Sequence, residues 1–178
     1  MGWDRVMPEA PVVAVAGVTG AVGREMLTVL EQRQFPASRV VALASARSAG
    51  KTVPYGGGEL VVEEMTEESF EGVDIALFSA GAGISKQFRD AVTGAGCVMI
   101  DNSSAFRMDD DVPLVVPEVN PHAVAEYHRK GIIANPNCST IQMVVALNPI
   151  HRRFGIRRIV VSTFQSVSGY GREAQAEL

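Results

Sequence analysis

The sequence is poor in cysteine and in aromatic residues, has no long apolar run and carries no excess of positive charge. Two cysteines in 178 residues cannot form the disulfide framework of a small secreted domain, so we expect the reducing environment of the cytoplasm. No apolar run reaches the roughly 18 residues that a membrane-spanning helix needs, so we expect no membrane partner. A net charge of −4 and a pI near 5.4 argue against nucleic acid, and we assign no metal site.

The composition is that of an ordinary globular chain, with 47% hydrophobic residues, 20% charged residues and a mean hydropathy of +0.13. Short β-branched runs alternate with stretches of helical periodicity, which is typical of α/β folds with a mainly parallel sheet. The run VVAVA at 12–16 is apolar on both faces, as in a central parallel strand. An apolar stripe of Val22, Met26, Leu27 and Leu30 indicates a helix after it. Further strands are predicted at 40–45, 74–79, 97–101, 114–116 and 132–134, a hairpin at 52–65, and helices at 84–95 and 121–129.

The last forty or so residues follow a different pattern, and we place a domain boundary near Asn135, between units 1–134 and 135–178. Residues 141–154 are apolar nearly all round, which predicts a buried helix. Residues 157–165 are strongly β-prone and predict a strand, and a further helix begins at 169–178. That strand has no later partner, and an uncovered apolar strand is an aggregation hazard. We therefore expect either a second chain that covers it or, as we favour, a fragment of a longer protein.

Three glycines follow the first strand directly, at positions 17, 20 and 23. Small residues between a buried strand and a helix let the backbone approach a phosphate, which the free N–H groups of the helix N-terminus bind. The spacing is G-x-x-G-x-x-G rather than G-x-G-x-x-G. The position of the glycines between a strand and a helix therefore supports the prediction more than the motif itself does. We predict a nucleotide site in a Rossmann-type, doubly wound domain; the alternative is a tight turn without a ligand.

The end of the second strand indicates which dinucleotide binds. An NAD site places Asp or Glu there to hold the ribose hydroxyls, but this chain has LASARS at 43–48, without a carboxylate. Arg47 offers a planar cation for a 2′-phosphate, and Ser45 and Ser48 offer hydroxyl donors. The sequence therefore favours NADP, the alternative for Arg47 being an exposed loop residue.

The two cysteines have different surroundings. Cys97 belongs to a strand and reads as a structural core residue. Cys138 lies in the segment NPNCST at 135–140, at the start of a helix, where backbone donors favour a thiolate. We predict that Cys138 is a nucleophile, and the alternative is a small buried hydrophobic residue.

Together these segments resemble the aspartate-β-semialdehyde dehydrogenases, from about residue 12 to the end of the chain. The resemblance rests on GVTGAVG (17–23), ASARS (44–48), DNSSAFR (101–107), VPEVN (116–120), NPNCST (135–140) and TFQSVSG (163–169). It implies reversible reduction of β-aspartyl phosphate to aspartate semialdehyde with NADPH, on the route to lysine, threonine, methionine and isoleucine. It also implies that 135–178 begin an α+β catalytic and dimerisation domain, and that the full-length protein is a homodimer.

The resemblance assigns a role to each candidate residue. Cys138 attacks the acyl carbon and forms a thioester. Arg107 grips the phosphoryl group, Asn137 donates to the phosphate or to the developing oxyanion, and Gln165 contacts the amino-acid part of the substrate. The predicted cofactor-binding residues are Gly17, Thr19, Gly20, Ala21, Val22, Gly23, Ser45, Arg47, Ser48, Ser79, Ala80, Gly81, Ser168 and Gly169.

The resemblance also implies catalytic groups that the chain lacks, namely a general-base histidine, an arginine for the substrate carboxylate and a lysine at the phosphate. His151 does not replace the histidine, because thirteen helical positions after Cys138 span about 20 Å. His122 and His128 read as surface or structural residues. We therefore expect negligible turnover by this chain alone. Two other functions remain open: reduction of another acyl phosphate such as N-acetylglutamyl phosphate, and a non-catalytic nucleotide-binding or assembly module.

Overall fold

A computed structural model describes residues 6–167 and residue 177 of the chain. Its strands are β1 (Val12–Ala16), β2 (Arg39–Ala44), β3 (Thr52–Tyr55), β4 (Gly58–Glu64), β5 (Ile75–Phe78), β6 (Val98–Asp101) and β7 (Ile132–Ala134). Its α-helices are α1 (Ala21–Gln32), α2 (Ala82–Gly94) and α3 (Cys138–Phe154), and 3-10 helices cover Ala46–Ser48, Glu67–Phe70 and Pro121–Arg129.

The strands form one seven-stranded sheet in the order β3-β4-β2-β1-β5-β6-β7. Every neighbouring pair is parallel except the hairpin of β3 and β4, so the predicted mainly parallel α/β sheet is confirmed. From β1 the chain runs to β2 on one side and later returns to β5 on the other. The strand order therefore reverses between β1 and β5, the place where open α/β sheets form a binding crevice.

Apolar side chains bury both faces of the sheet. On one face Phe70 stacks on Phe78 at 5.8 Å between ring centroids, and Phe88 of α2 meets Phe70 edge-on at 6.0 Å. On the other face Leu27 of α1 packs with Val15, Val18, Val53 and Val62. The predicted stripe on α1 is only partly right: Leu27 is buried and Met26 and Leu30 pack against the core, but Val22 is 44% exposed.

Two predicted elements before Asn135 take a different form. Residues 114–116 make no regular strand, because only Leu114 bridges to the sheet, beside Ala134 of β7. The predicted helix at 121–129 is a 3-10 helix, which begins at Pro121 as expected. The hairpin is confirmed, and β4 also extends the sheet by pairing with β2.

The prediction of a buried helix and a strand after Asn135 is wrong for the described residues. No residue of α3 is buried, and Phe154 at its end is 78% exposed. Residues 157–165 form no strand, since no described residue pairs with them, and Phe164 is fully exposed. A strand needs a hydrogen-bonding neighbour and an apolar helix needs a facing surface. The helix predicted at 169–178 lies outside the described residues apart from residue 177.

Within the described part of the chain, no helix is both long enough and apolar enough to cross a bilayer.

Candidate active site

Five of the predicted site segments lie along one edge of the sheet. Five of the six parallel strands, β2, β1, β5, β6 and β7, lie side by side, so their carboxyl ends meet at the same edge. Each of those ends carries one predicted segment: 17–23 after β1, 45–48 after β2, 79–81 after β5, 102–107 after β6 and 135–138 after β7.

The turn after β1 needs glycine because three strand ends meet there. The N–H groups of Gly17 and Val18 both donate to the Leu43 carbonyl at the end of β2, at 2.9 and 3.1 Å. Gly17 has φ +85°, and a Cβ on it would lie 2.4 Å from the carbonyl oxygen of Ser79. Ser79 itself donates to the Ala16 carbonyl. The turns after β1 and β5 therefore touch through backbone that a side chain would push apart.

Gly23 allows α1 to start directly above this turn. A Cβ on Gly23 would lie 2.3 Å from the Gly17 carbonyl oxygen, whereas one on Gly20 would lie at 3.3 Å. Ala21 and Val22 are exposed, and the first turn of α1 contains no acidic side chain. The orphan N–H groups of that turn are thus available to an anion. Thr19 lies half-buried in the same turn.

The segment after β2 presents polar side chains beside the glycine turn. A 3-10 helix, Ala46–Ser48, begins directly after the strand, and Ser48 N–H donates to the Ser45 carbonyl at 2.8 Å. Ser45 and Arg47 are exposed and Ser48 is half-buried. Among residues 6–167 the guanidinium of Arg47 forms no ion pair or hydrogen bond, which leaves it available to a ligand.

The segment after β5 closes the crevice from the other side. Ser79 and Ala80 are half-buried, and Gly81 is the N-cap of α2 with φ +89°. Nothing lies within 4 Å of a Cβ built on Gly81, so the positive φ, rather than crowding, accounts for glycine here.

Cys138 is the first residue of α3 and is exposed, whereas Cys97 is buried as expected of a core residue. Asn137 caps the helix, its Oδ1 accepting a hydrogen bond from Ser139 N–H at 3.0 Å. This bond fixes the Asn137 side chain at the helix start, one residue before Cys138. No described residue accepts its amide hydrogens. Gln165 reaches the thiol from 27 positions away, with Nε2 at 3.7 Å from Cys138 Sγ. The structure thus brings three of the predicted residues together.

Arg107 is half-buried between the ends of β6 and β7. Its Nε donates to the Asn135 carbonyl at 2.9 Å and its Nη2 to the Asn102 carbonyl at 3.3 Å. The two asparagine side chains also bind each other, Asn135 Nδ2 to Asn102 Oδ1 at 2.6 Å. Sequence reasoning assigned no role to either asparagine, although each directly follows a predicted strand.

A buried carboxylate lies beneath this arrangement. Asp101 at the end of β6 is fully buried and accepts hydrogen bonds from the Ser85 and Ser103 hydroxyls, both at 2.6 Å. Ser103 Oγ in turn accepts from Ala105 N–H at 3.0 Å. These bonds connect α2 to the turn that leads to Arg107. The sequence analysis did not predict this network. The signal that could have indicated it is the acidic residue at the end of the apolar run CVMID, because a buried carboxylate needs hydrogen-bond donors.

Ser85→Ala is expected to lower the free energy of unfolding by about 2 kcal/mol, because it removes a buried hydrogen bond to a carboxylate. Urea denaturation of the purified chain measures this. Ser104→Ala is the matched control, since Ser104 is exposed three positions past the buried Asp101, and it should change stability by less than about 0.5 kcal/mol. Equal midpoints for both variants would contradict the structural role given to Ser85.

The three histidines lie away from the thiol's immediate contacts. His151 is one turn from the end of α3, where its Nδ1 accepts from Ile156 N–H at 3.1 Å. His122 and His128 are exposed on the 3-10 helix Pro121–Arg129. Within the described ranges no group of His, Cys, Asp and Glu has the arrangement of a metal site.

A groove of about 540 Å³ lies elsewhere, between the end of α2 and the loop that precedes β7. Thr93, Lys130 and Ile132 contribute to its lining, which includes none of the predicted site residues.

The chain is similar in sequence to semialdehyde dehydrogenases. Residues 12–127 match the family described as semialdehyde dehydrogenase, NAD binding domain. The chain is 58% identical over 167 residues to the aspartate-semialdehyde dehydrogenase of Aquifex aeolicus and 55% identical over 166 residues to that of Bacillus subtilis. These alignments cover 93% of this chain but 49% and 47% of those proteins. The chain therefore spans about half the length of the curated relatives it matches.

Solved structures give the same result. A crystal structure of aspartate semialdehyde dehydrogenase II from Vibrio cholerae, complexed with ASA, superposes with a TM-score of 0.91 at 51% identity, over 96% of this chain and 51% of that one. The enzyme of Candida albicans, solved with NADP, has a TM-score of 0.69 at 28% identity, over 83% and 48%. The glycine turn, the cysteine-bearing helix start and these similarities lead to one conclusion: the chain belongs to the semialdehyde dehydrogenase family and is similar to the aspartate-semialdehyde dehydrogenases within it.

Proposed function

We propose that this chain supplies the dinucleotide site and the nucleophile of an enzyme that reduces β-aspartyl phosphate to aspartate semialdehyde with NADPH, reversibly. The observation that carries the proposal is the position of Cys138, exposed at the start of α3 on the edge of the sheet that also bears the glycine turn. Arg107 ends the neighbouring segment of the same edge. A thiol, a cation for phosphate and a dinucleotide turn are the parts that this reaction needs.

The chemistry starts at the Cys138 sulfur. As a thiolate it attacks the acyl carbon, the carbon–sulfur bond forms, and the bond from that carbon to the phosphate oxygen breaks with release of inorganic phosphate. Bound NADPH would supply the hydride that turns the resulting thioester into the aldehyde, and the sulfur then leaves as the thiolate. In the reverse direction the thiol adds to the aldehyde, transfer of hydride to bound NADP⁺ would turn the adduct into the thioester, and phosphate cleaves that thioester.

The neighbouring side chains have roles that their contacts support. Among the described residues the terminal nitrogen Nη1 of Arg107 has no hydrogen-bond partner, which leaves it for the phosphoryl oxygens. Asn137, fixed as the helix cap, offers its amide to the phosphate or the oxyanion. Gln165 lies against the thiol and is placed to contact the amino-acid part of the substrate. A family relative was crystallised with ASA, which supports this substrate class.

The cofactor residues fit NADP better than NAD. No carboxylate follows β2, and the exposed Arg47 has Ser45 and Ser48 beside it for a 2′-phosphate. The Candida albicans relative solved with NADP is consistent with this choice. The first turn of α1 and the touching segment 79–81 would hold the pyrophosphate and the adjoining nucleoside. Ser168 and Gly169, also assigned to the cofactor, lie outside the described residues.

Three further elements complete the proposal. Residues 1–134 form the NADP-binding domain and 135–178 begin a catalytic and dimerisation domain. The full-length protein is a homodimer, and the low cysteine count supports a location in the cytoplasm. The 178 residues alone turn over negligibly, because no histidine of the chain contacts Cys138 in the described part. Apolar side chains are exposed on α3 and in the segment after it. Their exposure supports the proposal that another part of the dimer packs against this region.

Aspartate semialdehyde is expected to slow the alkylation of Cys138 by iodoacetamide at least fivefold at millimolar concentration, because addition of the thiol to the aldehyde removes the nucleophile. Peptide mass spectrometry measures the rate at this residue, and Cys97 serves as the unreactive internal reference because it is buried. In separate samples without iodoacetamide, β-aspartyl phosphate should cause no oxidation of NADPH above background.

Propanal and N-acetylglutamate semialdehyde at equal concentration are the matched controls, and they should protect less than twofold. Equal protection by propanal would contradict a specific substrate site. Stronger protection by the acetylated compound would favour the other acyl-phosphate reductase. Robust NADPH oxidation by the chain would overturn the proposal that it is inactive alone.

A further inference from the structure

We propose that Asn102 and Asn135 are positioning residues, which orient Arg107 and set its distance from the cysteine-bearing segment. The inference rests on the proposed function, because it takes Arg107 as the group that binds the phosphoryl moiety. The ligand is a phosphate or an acyl phosphate, which Arg107 binds directly. The two asparagines contact neither the thiol nor this ligand.

Arg107 uses only some of its N–H groups to bind the protein. A guanidinium has five N–H groups, and here one on Nε and one on Nη2 are used by the backbone carbonyls of Asn135 and Asn102. The described residues give Nη1 no hydrogen-bond partner and Arg107 no ion pair. One edge of the cation is thus occupied by the protein and the other is left for an anion.

The two carbonyls that accept hydrogen bonds from Arg107 belong to backbone that is anchored to the sheet. Asn102 N–H donates to the Phe78 carbonyl at the end of β5, and Asn135 N–H donates to the Asp101 carbonyl at the end of β6, at 2.9 and 2.8 Å. Both carbonyls therefore sit one residue beyond paired strands, on rigid backbone. A long arginine side chain loses rotamer entropy when it is held, and two such acceptors hold it before the ligand arrives.

The two asparagine side chains are bonded to each other. Asn135 Nδ2 donates to Asn102 Oδ1 at 2.6 Å and joins the turns after β6 and β7, which are 33 positions apart in sequence. One turn continues to Arg107 and the other reaches Cys138 three residues later. The amide pair therefore sets the separation of the cation and the nucleophile. Alanine at either position removes this bond and leaves both backbone carbonyls in place.

The test uses inorganic phosphate as the probe and needs no cofactor. The rate of Cys138 alkylation by iodoacetamide is measured over a range of phosphate concentrations in the wild-type chain, Asn102→Ala, Asn135→Ala and the double variant. Phosphate is expected to protect the wild type. Each single variant should raise the half-protecting concentration about tenfold, the worth of one such hydrogen bond. The rate without phosphate should stay within twofold, because neither asparagine contacts the thiol.

The double variant and Arg107→Ala distinguish the possible outcomes. If the asparagines act as one pair, the double variant should be no weaker than either single variant, whereas independent effects would multiply. If phosphate protects both single variants as well as it protects the wild type, the positioning role of the asparagines is contradicted. The proposed function is not affected by that result. Absence of wild-type protection, or unchanged protection in Arg107→Ala, would contradict the phosphate role of Arg107 in the proposed function. Both single variants remove the same bond, so either one suffices if the other fails to fold.

Discussion

Alanine at Gly17 or Gly23 is expected to weaken NADPH binding by about two orders of magnitude and to lower the free energy of unfolding by about 3 kcal/mol. At Gly17 the new Cβ would lie 2.4 Å from the Ser79 carbonyl oxygen, and φ +85° adds about 1–2 kcal/mol of strain. At Gly23 it would lie 2.3 Å from the Gly17 carbonyl oxygen. Both contacts are with backbone, so the turn itself must move, and a displacement of about 1 Å is enough for such a loss.

Gly20→Ala is the matched control within the same turn. Its Cβ would meet only the Gly17 carbonyl oxygen, at 3.3 Å and without a positive φ. We expect a change in NADPH affinity of less than about fivefold and a stability change below about 1 kcal/mol. Titration by the fluorescence of bound NADPH and urea denaturation measure the two quantities. Equal losses in all three variants would show that contact with the ligand, rather than backbone crowding, requires the glycines.

Local pattern was sufficient to predict the central fold. The run at 12–16 is apolar on both faces because β1 lies between β2 and β5 with helices on either side, and the strand has the predicted bounds. The glycine turn was visible because strand, small residues and helix follow one another without a gap. Parallel strands then place the five predicted segments that follow β1, β2, β5, β6 and β7 at one edge, which makes the location of the site predictable once the strands are known.

The part after Asn135 was not predictable in the same way. Apolar periodicity shows that a helix or strand has side chains to bury, but not which surface receives them. α3 has such side chains and no described element covers it, while residues 157–165 have β-prone side chains and no described partner strand. The helix start at Cys138, in contrast, depends on the local cap by Asn137, and this was read correctly from the sequence.

The supporting contacts of the site depend on residues far apart in sequence. Asn102 and Asn135 meet across 33 positions, and Gln165 reaches Cys138 across 27. No spacing rule connects such pairs, so composition and periodicity gave no reason to single out the two asparagines. Gln165 entered only through the resemblance to a family. The polar network around Asp101 is of the same kind, since Ser85 belongs to a helix 16 positions earlier.

Arg47→Ala is expected to raise the dissociation constant for NADPH about 10- to 100-fold and that for NADH less than threefold. The guanidinium is exposed, has no protein partner among residues 6–167 and follows a strand end without a carboxylate. Charge-assisted bonds to a 2′-phosphate are worth about 1.5–3 kcal/mol, and NADH has no such phosphate. Titration of each dinucleotide with the variant and the wild type gives both constants.

The control for charge alone is Arg33→Ala, which removes an exposed cation at the far end of α1 and should leave both constants within twofold.

Because an exposed cation and a phosphate are screened by ions, the preference for NADPH should also shrink as salt rises from 0.05 to about 0.5 M, where the Debye length falls to a few ångströms. Equal weakening of NADPH and NADH by Arg47→Ala would place Arg47 at a part that both dinucleotides share. An unchanged preference would show that Arg47 does not bind the 2′-phosphate and would leave Ser45 and Ser48 as the other predicted residues after β2 that can bind it.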